Sequence, residues 1–205
     1  MLPTIRCVRS SFASVPAEAG LEPWTRLEAH EFHEVVSGAA PQQRTWVKAA
    51  WDADELRVLF GIEDTHVWAT YTQRNALLYE EEVVEVFLDP VGDLESYFEI
   101  ELNPLNTVLD LVVRRNRSGY KKDFAWQCEG LRTAVTRHAS GWSAELAIPF
   151  RSLVAELPSE GSRWRVNFCR IDRPPGVERE LSAWSPTGRA NFHTPEKFGV
   201  LEFVG

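Results

Sequence analysis

The stretch LYEEEVVEVFLDP, residues 78–90, decides how the rest of the chain is read. It carries five acids: Glu80, Glu81, Glu82, Glu85 and Asp89. Its second half alternates. Val84, Val86 and Leu88 fall on one side of an extended segment and Glu85, Phe87 and Asp89 on the other, because successive side chains of a strand point to opposite faces. Glu80, Glu81 and Glu82 lie on the approach to that strand, where water relieves repulsion between neighbours, and are expected to be solvated.

The same period of two recurs outward along the chain. TWVKAAW (45–51) leads through DADE into LRVLFGIED (56–64), which reads as a hairpin around an Asp-rich turn. VVEVFLD (83–89) and SYFEIELN (96–103) flank PVGDLE as a second hairpin, and TVLDLVVRR (107–115) follows at once. After a looser polar region over 116–130 come LRTAVTRH (131–138), WSAELAIPF (142–150), WRVNFCRID (164–172), ELSAWS (180–185) and FGVLEFVG (198–205). Helical spacing is confined to WTRLEAHEF after Pro23 and FRSLVAELP before Pro158. The expected fold is all-β. It is a two-sheet antiparallel β-sandwich, jelly-roll or immunoglobulin-like, of about nine to eleven strands with one or two short helices. With no linker, repeat or low-complexity tract, residues 1–205 read as a single domain with an irregular N-terminal segment over about 1–43.

Composition narrows the function classes. The 205 residues are 44% hydrophobic and 25% charged, enough to bury a core without disulfides or metals. A net charge of −8 argues against nucleic acid and against anionic membrane surfaces as partners. No apolar run reaches the roughly 18 residues of a membrane span. The opening MLPTIRCVRSSFASVP lacks the apolar centre of a signal peptide, which reads as cytoplasmic by default and as secreted if an upstream signal was removed. Cys7, Cys128 and Cys169 are too scattered for a zinc motif or a disulfide framework and read as buried or free thiols. His30, His33, His66, His138 and His193 supply no zinc set either.

Alternation then sorts the acids. A hairpin centred on Gly92 sets Glu85 opposite Glu99 and Phe87 opposite Tyr97, with Glu101 on the same face. On the next strand Leu109, Leu111 and Val113 are expected to look inward, and Asp110 to look the way the glutamates do. Three adjacent strands thus present a face of carboxylates and aromatic rings. Like charges opposite each other destabilise a sheet unless something offsets them. Solvent alone would suffice; so would Arg114, Arg115, Lys121 and Lys122, a cation, or a ligand. Rings mixed with carboxylates suit a sugar, whose C–H face stacks on aromatics while its hydroxyls donate to carboxylate oxygens.

Taken in order, AAWDADELRVLFGIED, YEEEVVEVFLDP, YFEIELNPLNTVLDL, GWSAELAIPF and WSPTGRANFHTPEKFGVLEF resemble the family 9 carbohydrate-binding modules, within the wider DOMON-like group of β-sandwiches. The resemblance covers about residues 44–205. It implies non-catalytic binding of an oligo- or polysaccharide such as xylan or cellulose. It also implies a sugar unit clamped between two aromatic side chains at the positions of Tyr79 and Phe192, where better-known members have tryptophans. It assigns ligand contacts to Glu85, to Glu99 and Glu101, and to Arg189. No cofactor is implied beyond structural calcium, for which Asp89, Asp93 and the Asp52–Asp54 turn are the candidates, although none forms a recognised loop. No catalytic residue is assigned, and the oligomeric state stays open.

Three other functions compete. A protein-interaction sandwich needs no small ligand. A glycoside hydrolase would use Glu85 with Glu99 or Glu101, but its acid needs a proton affinity raised by burial, which an open sheet face would not supply. A haem-binding DOMON-like domain is disfavoured because the only methionine is Met1.

Overall fold

In the computed structural model, which describes residues 1–12, 15, 22–116 and 119–205, the alternating segments become strands. Among the described residues these are β1 (Thr4–Arg9), β2 (His30–Glu31), β3 (His33–Glu34), β4 (Thr45–Trp51), β5 (Glu55–Glu63), β6 (Val83–Asp89), β7 (Ser96–Leu102), β8 (Val108–Asn116) and β9 (Gly119–Asp123). They continue with β10 (Arg132–His138), β11 (Gly141–Pro149), β12 (Arg163–Asp172), β13 (Glu180–Ala183) and β14 (Gly199–Val204). One helical turn, α1 (Phe150–Leu153), follows β11. The segment after Pro23 forms only a 3-10 turn over Trp24–Arg26. The N-terminal segment is less irregular than expected. β1 is an interior strand that pairs in parallel with both β14 and β4, an exception to the antiparallel pattern. The part of that segment at 13–14 and 16–21 lies outside the described residues. The polar region 116–130 also contributes a strand, β9.

The ladder runs unbroken in the order β10-β11-β5-β4-β1-β14-β12-β6-β7-β8-β9. It folds back on itself, so that Val58 and Phe60 of β5 and Leu146 of β11 meet Val84 and Val86 of β6, Ile100 of β7 and Phe168 of β12 in one core. The Phe60 and Phe168 rings cross that core with centroids 6.0 Å apart. Trp51, Trp142 and Trp164 are buried in it.

The outer face of β6, β7, β8 and β12 is covered too. Phe87, Tyr97, Leu109, Leu111, Val113, Cys169 and Ile171 pack there under Leu78, Phe192 and Phe198, forming a second core. The covering residues come from the turn before β6 and from the loop between β13 and β14. This cover reverses the reading of β8. Leu109, Leu111 and Val113 share the face of the glutamates, while Asp110 stands opposite Ile100 on the sandwich side, paired with Arg74 and accepting from the Cys128 amide at 2.8 Å. Both sides of β8 are dry, so apolar residues mark neither side as the core.

Candidate functional site

The hairpin register also differs from expectation. Glu85 stands opposite Glu101, Phe87 opposite Glu99 and Leu88 opposite Phe98. The connection is longer because Asp89 caps it, accepting from the Gly92 amide at 2.7 Å and the Leu94 amide at 3.0 Å, with Leu94 at a φ of 64°. The slip is an even one, so Glu85, Glu99 and Glu101 still share a face. Across the sheet, one rung reads Cys169, Glu85, Glu101, Leu109, and the next reads Asn167, Phe87, Glu99, Leu111. A third carries Tyr97, Val113 and Lys122, which brings Lys122 diagonally over Glu99.

These glutamates are not on an open face. Glu85 and Glu99 are 2% exposed and Glu101 is fully buried. Lys122 Nζ lies 3.3 Å from Glu99 Oε1 and 4.9 Å from the centre of the Tyr79 ring. Glu99 Oε2 and both Glu101 oxygens receive no protein N–H or O–H. Glu99 takes the Lys122 ammonium on Oε1, and a proton on Glu101 would bridge that residue to Glu99. Burial, then the charge of Glu99, holds the Glu85 carboxyl well above the usual range, against the opposing pull of Lys122 and Arg179. Burial, then Glu85 and Glu99, does the same to Glu101. Burial alone would lower Lys122, but the summed charge of Glu99, Glu101 and Glu85 outweighs it and holds the ammonium above its ordinary range. The dry acids that an open face would have denied are present.

Above them opens a cavity of about 270 Å³ lined by Tyr79, Glu85, Glu99, Lys122, Ile171, Arg179, Leu181, Ala190, Asn191, Phe192 and His193. Four of the predicted site residues, Tyr79, Glu85, Glu99 and Phe192, therefore meet in one place. Glu101 lies beneath, in contact with the other carboxyls but not on the wall. Arg189 does not reach the cavity. It is exposed, and its backbone closes a turn with Thr187 Oγ1. Tyr79 is half-buried beside the Lys122 ammonium, whereas Phe192 is largely sunk into the second core, with its ring 6.3 Å from Phe87. His193 accepts from or donates to the Tyr97 hydroxyl at 2.7 Å, and burial lowers its proton affinity. Arg179, Leu181 and Ala190 belong also to a neighbouring, more polar cavity lined by Glu34, Gln42, Glu178 and Glu180. Of the four cations that the sequence offered as partners for the acids, Lys122 is the one that faces the glutamates, whereas Arg179 was missed because it sits in a loop with no periodicity to betray it.

The approach to β6 is also corrected. Only Glu80 is exposed; Glu81 and Glu82 are buried. Glu81 holds the Thr70 amide at 2.7 Å. Glu82 accepts from Trp142 Nε1 at 3.0 Å and the Trp68 amide at 3.1 Å. It belongs to a carboxylate cluster with Asp64 and Asp172. A metal fits this cluster poorly, because Arg170 Nη2 already stands 2.8 Å from Asp64, 3.3 Å from Glu82 and 3.5 Å from Asp172. The guanidinium holds the place a cation would take. The calcium candidates are engaged in local turns. Asp89 is engaged in its own turn, Asp93 accepts from the Glu95 amide, and Asp52 Oδ1 accepts from the amides of Asp54 and Glu55.

The fold and this cavity define a β-sandwich with an acid-floored pocket on the outer face of one layer. The carbohydrate family 9 binding domain-like family matches residues 19–205, and the chain belongs to it. Among solved structures, a family 9 carbohydrate-binding module from Caldicellulosiruptor kristjanssonii in complex with cellotriose superposes with a TM-score of 0.75 at 18% identity, over 99% of this chain and 94% of that one. The complex of a Caldicellulosiruptor kristjanssonii family 9 module with glucose gives 0.74 at 18% identity, over 99% and 96%. A candidate carbohydrate-binding protein from Bacteroides uniformis ATCC 8492 gives 0.76 at 18% identity, over 98% of each chain. At this identity the likeness is one of fold. No curated protein matches the chain.

Proposed function

We propose that the protein binds carbohydrate without catalysis, seating a sugar unit between Tyr79 and Phe192 above Glu85 and Glu99. The observation that carries this reading is the cavity itself, which joins two aromatic rings and buried carboxylates in a space of about 270 Å³. Glu85 and Glu99 would take hydroxyl hydrogens, Asn191 would give or take one, and Arg179 would donate at the rim. Ile171 and Leu181 supply the apolar wall for the C–H face of the ring. Membership of the family, and the cellotriose and glucose held by the Caldicellulosiruptor kristjanssonii modules, support the same class of ligand. Arg189 has no part in this reading.

Titration calorimetry against glucose, cello-oligosaccharides and xylo-oligosaccharides tests it. Tyr79→Ala should weaken binding about tenfold, the worth of one good aromatic contact. Phe192→Leu keeps most of the second core filled and should weaken binding by a smaller factor. If no sugar binds the parent at millimolar concentration, the reading fails. If sugar binds and both variants bind equally well, the site is elsewhere.

A further inference from the structure

Were all three of its glutamates ionised, the floor of the cavity would hold more negative charge than the facing ammonium answers. Glu85, Glu99 and Glu101 are stacked on adjacent strands, and Lys122 is the ammonium that faces all three. Arg179 also faces Glu85, but it is exposed at the rim, where water screens it. Tyr79 and His193 are the other ionisable side chains on the walls, with Tyr97 and Cys169 behind them; burial keeps the His193 imidazole from gaining charge and the Tyr97 phenol and Cys169 thiol from losing their protons. Glu99 is 2% exposed, lines the cavity and carries an oxygen with no protein donor. That oxygen has room for a hydrogen-bond donor, and one ammonium cannot balance three buried carboxylates if all ionise.

We propose that the cavity takes a sugar carrying a protonated amino group, with the ammonium set against Glu85 and Glu99. This assignment rests on the sugar reading above and names the class of sugar. A neutral hydroxyl supplies one donor and no charge, whereas an ammonium supplies three donors and the missing positive charge. Without ligand, the glutamates offset their own repulsion by holding protons. An incoming ammonium takes over that role, and the Glu85 proton leaves to solvent. Binding therefore releases protons, and the amino group must keep its charge in the complex. A uronic acid would add a fourth carboxylate to the same space and should bind worse than the neutral sugar.

Calorimetry of the full chain with glucosamine, glucose, N-acetylglucosamine and glucuronate at about pH 6.5 decides the matter, run in two buffers of different ionisation enthalpy so that released protons are counted. Glucosamine should bind about tenfold to a hundredfold tighter than glucose, the range for a hydrogen bond to a charged group. N-acetylglucosamine keeps the nitrogen but not the charge and should lose that gain. Only glucosamine should release protons. In Glu85→Gln, which removes the charge and keeps the shape, the ratio of glucosamine to glucose affinity should fall toward one and the proton release should shrink. A thermal melt of the variant at or above the parent's shows that it is folded. Glucose or glucuronate binding as tightly as glucosamine overturns the proposal and leaves the sugar site standing. An undiminished glucosamine preference in Glu85→Gln also overturns it. If none of the four binds at millimolar concentration, the sugar site fails and this assignment with it.

Discussion

Glu82→Gln should turn a pH-dependent stability into a flat one. Buried Glu82 sits between Trp142 Nε1, the Trp68 amide, Arg170 and Asp64. Burial comes first, then a proton shared with Asp64 and that residue's charge; together they push the Glu82 carboxyl from 4.5 up to about 8, against the weaker opposing pull of Arg170 and the Trp68 amide. In the unfolded chain it returns to 4.5. Between those values the folded protein keeps a proton that the unfolded chain gives up. The contribution is therefore complete below 4.5 and is lost as pH rises toward 8. The slope is about 1.4 kcal/mol per pH unit, or about 5 kcal/mol across the window. Glutamine mimics the protonated acid but offers one acceptor oxygen where glutamate offers two. One of the Trp142 and Trp68 donors weakens, at about 1–2 kcal/mol. The variant should be less stable than the parent at about pH 5, cross it near about pH 6, and exceed it by about 3 kcal/mol at about pH 8. Urea unfolding followed by tryptophan fluorescence at four pH values reads this, with unchanged m-values showing that the same transition is compared. Raised acids outside the cluster of Asp64, Glu82 and Asp172 titrate in both proteins and drop out of the difference. Parallel pH profiles with a constant offset would refute the reasoning, and so would a gap that widens in the parent's favour.

Three further outcomes follow from the same geometry. Glu101→Leu replaces a fully buried carboxyl that has no protein donor, so it should stabilise the fold by an amount that grows as pH rises above 4.5, because the folded protein keeps a proton that the unfolded chain has lost; denaturant titration at several pH values checks this. Lys122→Met leaves Glu99, Glu101 and Glu85 without the ammonium that faces all three and should cost about 2–4 kcal/mol, more at high pH than at low, read as a fall in the urea midpoint. Gly141→Ala puts a methyl 2.0 Å from the Ile62 carbonyl oxygen at a φ of 146°, so neither backbone nor neighbour can yield, and it should lower stability by about 3 kcal/mol or prevent soluble expression.

Period two located the strands around residues 45–64, 83–115 and 142–172 because each has at least one consistently dry face. It failed where both faces are dry. VLDLVVRR of β8 is apolar on either reading, and only the tertiary cover by Phe192 and Phe198, from a loop some 80 residues further on, decides that Leu111 stands beside Glu99. The register of the β6–β7 hairpin escaped for a different reason. A two-residue slip preserves every in-or-out assignment, so hydrophobicity cannot sense it, and the caps that Asp89 gives to Gly92 and Leu94 decide the length of the turn. Charge misled at Glu81 and Glu82. A run of three acids reads as solvated, yet Thr70, Trp68, Trp142 and Arg170 come from elsewhere in the chain to receive two of them.

The even slip explains why the candidate site was legible although its details were not. Parity alone gathers Glu85, Glu99 and Glu101 on one face, whichever rung each occupies. Whether that face is wet or dry is settled by distant segments, and the answer changes the chemistry. On a wet face the three would repel weakly and titrate independently. Under Phe192 and Phe198, burial and mutual repulsion hold the Glu85 and Glu101 carboxyls well above the usual range. Carboxyls that repel one another in the fold thus also floor the cavity at Glu85 and Glu99, with Glu101 beneath them. A ligand that brings hydrogen-bond donors to this floor relieves strain that the empty protein carries. Part of its binding free energy is therefore repulsion already present in the fold, so the affinity gain and the stability cost at Glu85 and Glu101 should rise and fall together.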